Sequence, residues 1–283
     1  MVTRGWAAGE AGVRVLTDSD LPAARVLLNR RPVVDVFVAS RIASAGLSEW
    51  RLGAQVWGHE QDGELLAMCY AGANIWPVCA GPASIDAFAA YARRRHRRCA
   101  SIVGLAAEVL PFWDQLKRAW GPARELRDDQ PLMVLDQPPL VPPDPEVRLV
   151  RPSELDILLP AAVAMFTEEI GVPPESVDLY RARVAELISA RRCFARIENG
   201  RVLFKAEVGA ATSAACQIQG VWVAPAMRGQ GIGTSATAAV AAAAQRDIAP
   251  IVSLYVNAFN TGARRAYDRV GFVRQETFAS VLF

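Results

Sequence analysis

Short alternating runs of apolar and polar residues, separated by longer helical patterns, recur along the second half of the chain. Residues 216–223, CQIQGVWV, predict a buried strand whose alternation places one set of side chains on a single face: Gln217, Gln219, Val221 and Val223. Residues 233–247 are rich in alanine and free of proline, and predict a helix. Residues 254–272 predict a strand, a short turn and a helix that ends at Gly271. The second half therefore alternates strands with helices, as α/β proteins do.

The first half of the chain repeats this order of elements. Each half opens with a short strand and a helix start, and continues with a second helical pattern and two strand-like runs joined by a tight turn. The turn is Asp62-Gly63 in the first half and Asn199-Gly200 in the second, and both pairs suit a type I′ hairpin. We interpret the repeated order as an internal duplication whose sequences have diverged.

A proline-rich segment separates the halves. Residues 136–147, DQPPLVPPDPEV, contain five prolines, which remove backbone donors and favour an extended chain. We therefore predict two domains of ordinary size, 1–136 and 147–283, joined by a linker at 137–146.

Composition and charge exclude several classes of protein. The chain has 283 residues, and its 52% hydrophobic and 21% charged content is that of a soluble globular protein. A formal net charge of +2 gives no reason to expect nucleic-acid binding, and neither the N-terminal residues nor the apolar run 238–244 matches a signal peptide or a membrane span. Five cysteines without a CxxC spacing argue against a disulfide framework and against a metal site. We expect a cytoplasmic protein with reduced cysteines, no metal, and no membrane or nucleic-acid partner.

A glycine-rich loop lies between the predicted strand at 216–223 and the helix that follows it. Arg228 precedes three glycines, Gly229, Gly231 and Gly233. The first amide hydrogens of a helix lack partners and together carry about half a positive charge, and glycines let a phosphate approach the backbone. Arg228 adds a charge-assisted hydrogen bond to the same anion. The loop therefore predicts a site for a pyrophosphate.

Three other interpretations of the loop compete with this one. A Walker loop needs Gly-Lys-Ser/Thr, and no lysine occurs here. A dinucleotide site needs G-x-G-x-x-G with an acidic residue about 20 positions further on, whereas the spacing here is G-x-G-x-G and that region holds Ile251, Val252 and Ser253. The third interpretation is a glycine-rich helix start that binds no ligand.

Two motifs occur together in the second half. They are V-x-P-x-x-R-G-x-G-I-G at 223–233 and N-x-x-A-R-R-x-Y-x-x-x-G-F at 260–272. In order and separation they resemble the GNAT superfamily of acyl-CoA-dependent N-acyltransferases, and the resemblance covers roughly residues 147–283. It implies an α/β (α+β) fold of two tandem GNAT-like domains, each a mixed, mostly antiparallel central sheet flanked by helices. The first half lacks both motifs and resembles the degenerate N-terminal part of two-domain actinobacterial acetyltransferases.

The resemblance implies roles for residues of both motifs. It implies that the loop wraps the pyrophosphate of coenzyme A, with matching positions at Arg228, Gly229, Gln230, Gly231, Gly233 and Thr234. It also implies that the preceding strand splays from its neighbour at a bulge, that the pantetheine arm pairs with the backbone at Val221 and Val223, and that an N–H near Val223 polarises the thioester carbonyl. Asn260 matches the asparagine that contacts the pantetheine arm, and Tyr267 matches the tyrosine that protonates the departing thiolate.

The sequence does not assign a general base. Many relatives supply a carboxylate on the strand before the loop, where this chain has Gln217 and Gln219. The candidate catalytic carboxylates are Glu207 on the preceding strand and Glu168 or Glu169 near the acceptor pocket of relatives. Two alternatives stay open: these carboxylates are ordinary surface charges, or a water molecule removes the proton from the acceptor amine.

Other conspicuous residues have ordinary structural explanations. Tyr267 suits a half-buried helix tyrosine, and Asn260 suits a helix cap. Arg264 and Arg265 suit a solvated helix face. The basic run 93–98 suits the end of a helix, where cations complement the dipole, and its alternative is a site for an acidic partner or for the cofactor's 3′-phosphate.

These observations predict a GNAT-type N-acetyltransferase. It would move an acetyl group from acetyl-CoA to a primary amine of a small molecule or a protein, by direct attack in a ternary complex. The alternative is an acyl-CoA-binding regulatory or sensor module without turnover, which Gln217 favours. The roles that we expect for the N-terminal domain are packing against the second domain, shaping of the acceptor cleft, or contacts in a homodimer.

Overall fold

The chain folds into two compact units. A computed structural model describes residues 12–283; residues 1–11, where we expect no signal peptide, lie outside the described part. Unit 1 comprises the chain up to Pro131 together with Glu276–Phe283, and unit 2 comprises Leu132–Gln275. The predicted domain bounds stay a prediction. The units differ from them because unit 2 includes the proline-rich segment and unit 1 includes the last strand from Glu276 onward. Among residues 12–283, no helix has the length and apolarity needed to cross a bilayer.

Unit 1 is built on a mixed sheet with helices. Its helices are α1 (Leu21–Arg30), α2 (Val36–Ala45), α3 (Glu49–Leu52), α4 (Pro82–Arg93) and α5 (Ala106–Trp120). Its strands are β1 (Val13–Val15), β2 (Gln55–Gln61), β3 (Glu64–Ala71), β4 (Asn74–Val78) and β5 (Ser101–Leu105). They pair in chain order, and residues from 278 of the chain's last strand, β12 (Val273–Leu282), add antiparallel to β5. The pair β4–β5 is parallel, and the other pairs are antiparallel.

Unit 2 repeats this arrangement. Its helices are α6 (Leu155–Ile170), α7 (Val177–Ser189), α8 (Ile232–Asp247) and α9 (Thr261–Val270). Its strands are β7 (Arg148–Leu149), β8 (Cys193–Glu198), β9 (Arg201–Ala211), β10 (Ala215–Val223) and β11 (Ile251–Tyr255). They too pair in chain order, and residues 132–135 of β6 (Glu125–Leu135) add antiparallel to β11. Only β10–β11 is parallel among these pairs, so the two units share strand order and sense, as the predicted duplication requires.

Both predicted hairpin turns are present. Asp62 and Gly63 join β2 to β3 with φ angles of 52° and 82°, and Asn199 and Gly200 join β8 to β9 with φ angles of 48° and 73°. Two successive positive φ angles define the type I′ turn, which glycine and asparagine adopt at little cost. The mixed, mostly antiparallel sheet flanked by helices is also confirmed.

The sheet of unit 2 has an apolar core on each face. On one face, Phe204, Ala206 and Val208 of β9 pack with the small side chains of α8 and with α9. On the other face, α6 and α7 pack with Cys193 and Ala195 of β8. The alanine-rich sequence of α8 lets that helix lie close to the sheet, which brings its N-terminus next to the end of β10.

Unit 1 buries two carboxylates around one arginine. Arg31 donates from Nε to Asp35 Oδ2 at 3.1 Å and from Nη1 to Glu108 Oε1 at 2.6 Å. Asp35 is fully buried. Burial raises the pKa of Asp35 to about 7, although the guanidinium of Arg31 opposes the shift. Burial also raises the pKa of Glu108.

Asp35 makes the stability of the protein depend on pH. The ordinary pKa of an aspartate is 3.8, so between about pH 4 and pH 7 the folded chain keeps a proton that the unfolded chain releases. The free energy of unfolding should therefore fall as the pH rises through this range, by on the order of 3 kcal/mol, and should level off above it. Urea denaturation of the wild type at a series of pH values measures the slope.

The variant Asp35→Asn should have a smaller slope than the wild type, because an amide does not titrate and Glu108 alone then contributes. Asp62→Asn is the control, since residue 62 is exposed in a turn whose backbone conformation asparagine adopts readily. An unchanged slope in Asp35→Asn would show that Asp35 is not the titrating group.

Candidate functional site

A bulge interrupts the pairing of β10 with β9. Gln219 pairs with Glu207 and Trp222 pairs with Lys205, so β10 carries one residue more than β9 between these pairs. Gly220 lies in the bulge with a φ of 58°, in the left-handed region that glycine adopts without strain.

The bulge reverses the side-chain alternation of β10. Val221 and Val223 pack with the core on the α8 face of the sheet. Trp222 packs with the core on the α6 and α7 face. The prediction that one face holds Gln217, Gln219, Val221 and Val223 is therefore wrong for the strand beyond Gly220, because an inserted residue shifts the phase of every residue that follows it.

A buried ion pair lies directly against the bulge. Lys205 is only 1% exposed, and its Nζ donates to Glu207 Oε2 at 3.1 Å. The other carboxylate oxygen of Glu207 accepts from Nε2 of Gln219 at 3.1 Å. A Cβ atom at Gly220 would lie 2.9 Å from Nζ of Lys205 and 3.1 Å from Cε of Met165. The left-handed backbone conformation therefore favours glycine at position 220, and a larger residue would also displace the ends of the Lys205 and Met165 side chains.

The parallel strands β10 and β11 separate beyond their first residues. They pair from Ala215 with Ile251 to Gln217 with Ser253. After that point β10 stays paired with β9 as far as Val223, and the gap between β10 and β11 opens. The splay that the family resemblance implies is thus present.

The glycine-rich loop ends in the first turn of α8. Gly229 and Gly231 have φ angles of 77° and 85°, and Gly231 caps the helix that begins at Ile232. A Cβ atom at either glycine would meet no atom within 4 Å, so the conformation, and not crowding, requires glycine there. The amides of Thr234 and Ser235 donate to the carbonyl oxygen of Gly231, at 3.0 and 3.4 Å. The amides that precede them at a helix start have no partner within the helix, so an anion can bind there.

A cavity of about 510 Å³ lies between this loop, the start of α8 and one side of α9. Its volume is in the range of small-molecule sites. Most of the predicted site residues line it: Glu168, Val221, Val223, Arg228, Gly229, Gly231, Gly233, Thr234, Asn260 and Tyr267. Gln230 and Glu207 are not among the lining residues; Nε2 of Gln230 donates to the carbonyl oxygen of Ala226 at 3.0 Å.

The charges that line the cavity favour an anion. They are three arginines, Arg228, Arg265 and Arg269, and one carboxylate, Glu168. Nη2 of Arg228 donates to Glu168 Oε2 at 2.7 Å, and Trp222 Nε1 donates to Glu168 Oε1 at 3.0 Å. Both members of the ion pair are nearly half exposed, at 47% and 46%, so the pair is weak enough for a ligand to displace.

The donors around the cavity fit a phosphate-bearing ligand. The hydroxyl of Thr237 lies on a lining residue and is buried without a hydrogen-bond partner within residues 12–283. With the amides of the helix start and the guanidinium of Arg228, it forms a set of neutral and cationic donors suited to phosphate oxygens. In the same part of the chain, no three His, Cys, Asp or Glu side chains are grouped for a metal.

Tyr267 lines the deep part of the cavity. It is 7% exposed and packs against Phe272. Burial, and secondarily the negative charge of Glu169, raises the pKa of the phenol well above its usual value. The phenol therefore keeps its proton at neutral pH, as an ordinary tyrosine does, and its position in the cavity decides whether it can donate that proton.

Two other predicted residues lie near Tyr267. Asn260 lines the cavity and caps α9, because its Oδ1 accepts from the amide of Ala263 at 3.1 Å. Glu169 Oε1 accepts from Nδ2 of Asn257 at 3.3 Å. The adjacent carboxylates of α6 thus have different partners, since Glu168 pairs with Arg228.

In the corresponding loop of unit 1, a backbone amide donates to a carboxylate of the same unit. Residues 79–81 join β4 to α4, and the amide of Ala80 donates to Glu108 Oε1 at 3.1 Å. Arg31 donates to the same oxygen. A carboxylate of unit 1 itself is therefore the acceptor for this loop amide, and an arginine balances its charge.

The fold and the site define a class of protein. Splayed parallel strands, a glycine-rich helix start and a buried tyrosine lie together in unit 2. Residues 163–272 match the family model described as Acetyltransferase (GNAT) family. Residues 54–158 match a model described as Domain of unknown function (DUF4081). No curated protein matches the chain.

Solved structures similar to the whole chain share its fold. An acetyltransferase of the GNAT family from Colwellia psychrerythraea is 16% identical, with a TM-score of 0.55 over 96% of this chain and 99% of its own. A GCN5-related N-acetyltransferase from Sphaerobacter thermophilus is 18% identical, with a TM-score of 0.59 over 95% of each chain. A tandem GNAT protein from the clavulanic acid biosynthesis pathway is 13% identical, with a TM-score of 0.54 over 95% of this chain and 98% of its own.

Several residues at or beside the site were not predicted from the sequence. They are Lys205, Trp222, Thr237, Arg265 and Arg269. A helical projection of α9 centred on Ala266 would have placed Arg269 on the cavity side, because residues three apart share a face. No local signal marks Lys205, whose burial depends on the bulge in the neighbouring strand.

The buried pair of Lys205 and Glu207 should be essential for the stability of unit 2. Lys205→Met leaves the carboxylate of Glu207 buried without its counter-charge and should lower the free energy of unfolding by about 3–5 kcal/mol. The double variant Lys205→Met/Glu207→Gln removes both charges and should recover much of the loss. Urea denaturation measures both effects.

The other lysine of the chain provides the control. Lys117 forms an exposed pair with Asp114, so Lys117→Met should change the free energy of unfolding by less than about 1 kcal/mol. Equal effects of the two lysine substitutions would contradict the assignment of Lys205 and Glu207 as a buried pair.

Proposed function

We propose that unit 2 is an N-acetyltransferase that transfers an acetyl group from acetyl-CoA to a primary amine, by direct attack in a ternary complex. The observation that carries the proposal is the single cavity that joins an anion-binding helix start to a buried, protonated tyrosine. The match of residues 163–272 to the GNAT family supports acyl transfer as the reaction type.

In this proposal the loop and the end of β10 hold the cofactor. The amides of residues 229–233 and the guanidinium of Arg228 bind the pyrophosphate, which displaces Glu168 from Arg228. The backbone of Val221 and Val223, on the edge of β10 that β11 leaves uncovered, pairs with the pantetheine arm and polarises the acyl carbonyl. Acetyl-CoA supplies the acetyl group as an activated thioester.

Tyr267 serves as the general acid. Its phenol is protonated at neutral pH and lines the cavity, so it is placed to donate a proton to the departing sulfur. Of the two carboxylates predicted for proton removal from the amine, Glu168 lines the cavity and Glu207 is bound to Lys205 and Gln219. Glu168 is therefore the carboxylate that we propose for contact with the acceptor ammonium.

A second candidate function is an acyl-CoA sensor without turnover. Gln217 and Gln219 stand on the strand where many relatives carry a basic carboxylate, and Gln219 is engaged with Glu207. A sensor binds acetyl-CoA with the same loop but releases no thiol when an amine is added. The two functions therefore differ in turnover and agree on binding.

A charge introduced at Gly233 should abolish cofactor binding without harming the fold. Gly233 has an ordinary backbone conformation, and a Cβ atom there would only touch Val223, at 3.4 Å. Gly233→Glu places a carboxylate in the first turn of α8, which suits the helix dipole but repels a pyrophosphate. We expect acetyl-CoA binding at least about ten-fold weaker than in Gly233→Gln, measured by calorimetry, with an undiminished melting temperature.

Thiol release from the same preparations separates the candidate functions. Amino-acid derivatives, an aminoglycoside and a lysine-containing peptide form the amine panel. Amine-dependent thiol release by the wild type, lost in Gly233→Glu, supports the transferase. Binding without release on the whole panel favours the sensor, and absence of acetyl-CoA binding by the wild type contradicts both.

Removal of the phenol of Tyr267 should slow the reaction without weakening cofactor binding. Tyr267→Phe keeps the ring that packs in the core and removes the proton donor. We expect kcat for thiol release to fall by about 10²-fold or more, and the calorimetric affinity for acetyl-CoA to stay within about two-fold. Tyr91→Phe in unit 1 is the control, and equal rates for the two variants would exclude Tyr267 as the acid.

A further inference from the structure

Two arginines of α9 line the cavity, Arg265 within the second motif and Arg269 at a position that the motif leaves open. Arg265 and Arg269 are four residues apart and so lie on one side of the helix, the side that faces the same cavity as the glycine-rich loop. Both side chains are exposed. Neither guanidinium group has a hydrogen-bond or ion-pair partner within the described part of the chain, residues 12–283.

The neighbouring arginines differ from this pair. Arg264 donates from Nη1 to the carbonyl oxygen of Ala258 at 3.0 Å. Arg228 donates to Glu168 and to the carbonyl oxygen of Val223. The one carboxylate that lines the cavity is thus engaged with Arg228, and the unbalanced positive charge of the cavity lies on α9.

We infer that Arg265 and Arg269 form a phosphomonoester subsite that takes the 3′-phosphate of coenzyme A. The inference rests on the proposed function, because it concerns the same cofactor. The amides of the helix start and Arg228 suit the pyrophosphate, in which each of the two phosphate groups carries one negative charge. A terminal monoester carries up to two charges and needs donors of its own, and planar guanidinium groups match its oxygens in pairs.

The subsite predicts that the protein distinguishes two forms of the cofactor, whereas a solvated helix face predicts no such preference. A solvated face, which the sequence predicts for Arg265, interacts equally with any form of the cofactor. Arg269 lies in the last turn of α9, where a cation also complements the helix dipole. That role too predicts equal affinity for both forms of the cofactor. Discrimination between coenzyme A and dephospho-coenzyme A therefore separates the subsite from both explanations.

Calorimetry with the full-length protein and these two ligands provides the test. The wild type should bind coenzyme A about ten-fold more tightly than dephospho-coenzyme A. The double variant Arg265→Gln/Arg269→Gln should lose that preference by weakening coenzyme A binding alone. Arg264→Gln, on the same helix but with its guanidinium turned to Ala258, should keep the preference. Raised ionic strength should reduce the preference, because both arginines are exposed.

Each other outcome overturns the inference in a recognisable way. If the wild type binds the two ligands equally, or if the double variant weakens both to the same degree, the subsite is excluded and the proposed function stands. If the wild type binds neither ligand, the proposed function fails and the subsite fails with it. Melting temperatures of all variants show whether a loss of binding reflects a loss of fold.

Discussion

The buried ion pair of Lys205 and Glu207 sets the geometry of the site in unit 2. It lies against Gly220, whose left-handed backbone conformation favours glycine, and it accompanies the extra residue that bulges out of β10. The bulge turns Val221 and Val223 towards the α8 face and lets the end of β10 part from β11. The cleft between these strands, the loop and α9 therefore depends on a local distortion that charged groups in the core support.

Local signals predicted the parts of the fold that local physics determines. The hairpin at Asn199-Gly200, the helix that follows the loop and the end of α9 at Gly271 each depend on a few adjacent residues, and the structure has all of them. The cavity also brings together most residues that the two motifs marked, because the loop and the start of α9 follow neighbouring strands.

Features that depend on distant contacts could not be predicted in this way. The alternation of 216–223 continues through the bulge in the sequence, so the change of face at Gly220 leaves no trace in the pattern. The pairing of β12 with β5, and of residues 132–135 with β11, joins segments far apart in the chain, and no linker composition reveals it. The sequence predicts an exposed Arg265 in either case, whether its side chain faces bulk solvent or a cavity.

The two units show how one topology can keep or lose a ligand site. Both have a parallel strand pair, and in both a helix follows the first strand of that pair. In unit 1 a carboxylate of its own chain, Glu108, accepts from the amide of Ala80, and Arg31 balances the charge. In unit 2 the loop is longer, its glycines leave open space, and the balancing arginine is weakly paired at the surface.

Amide hydrogen exchange with and without acetyl-CoA tests this account most directly, because it locates binding on the backbone. The account predicts slower exchange at residues 229–235 and at 221–223 when acetyl-CoA is present, and no change at residues 80–85 of unit 1. Unchanged exchange at 229–235, or protection at 80–85 in its place, would contradict the central claim that the open loop of unit 2 holds the cofactor.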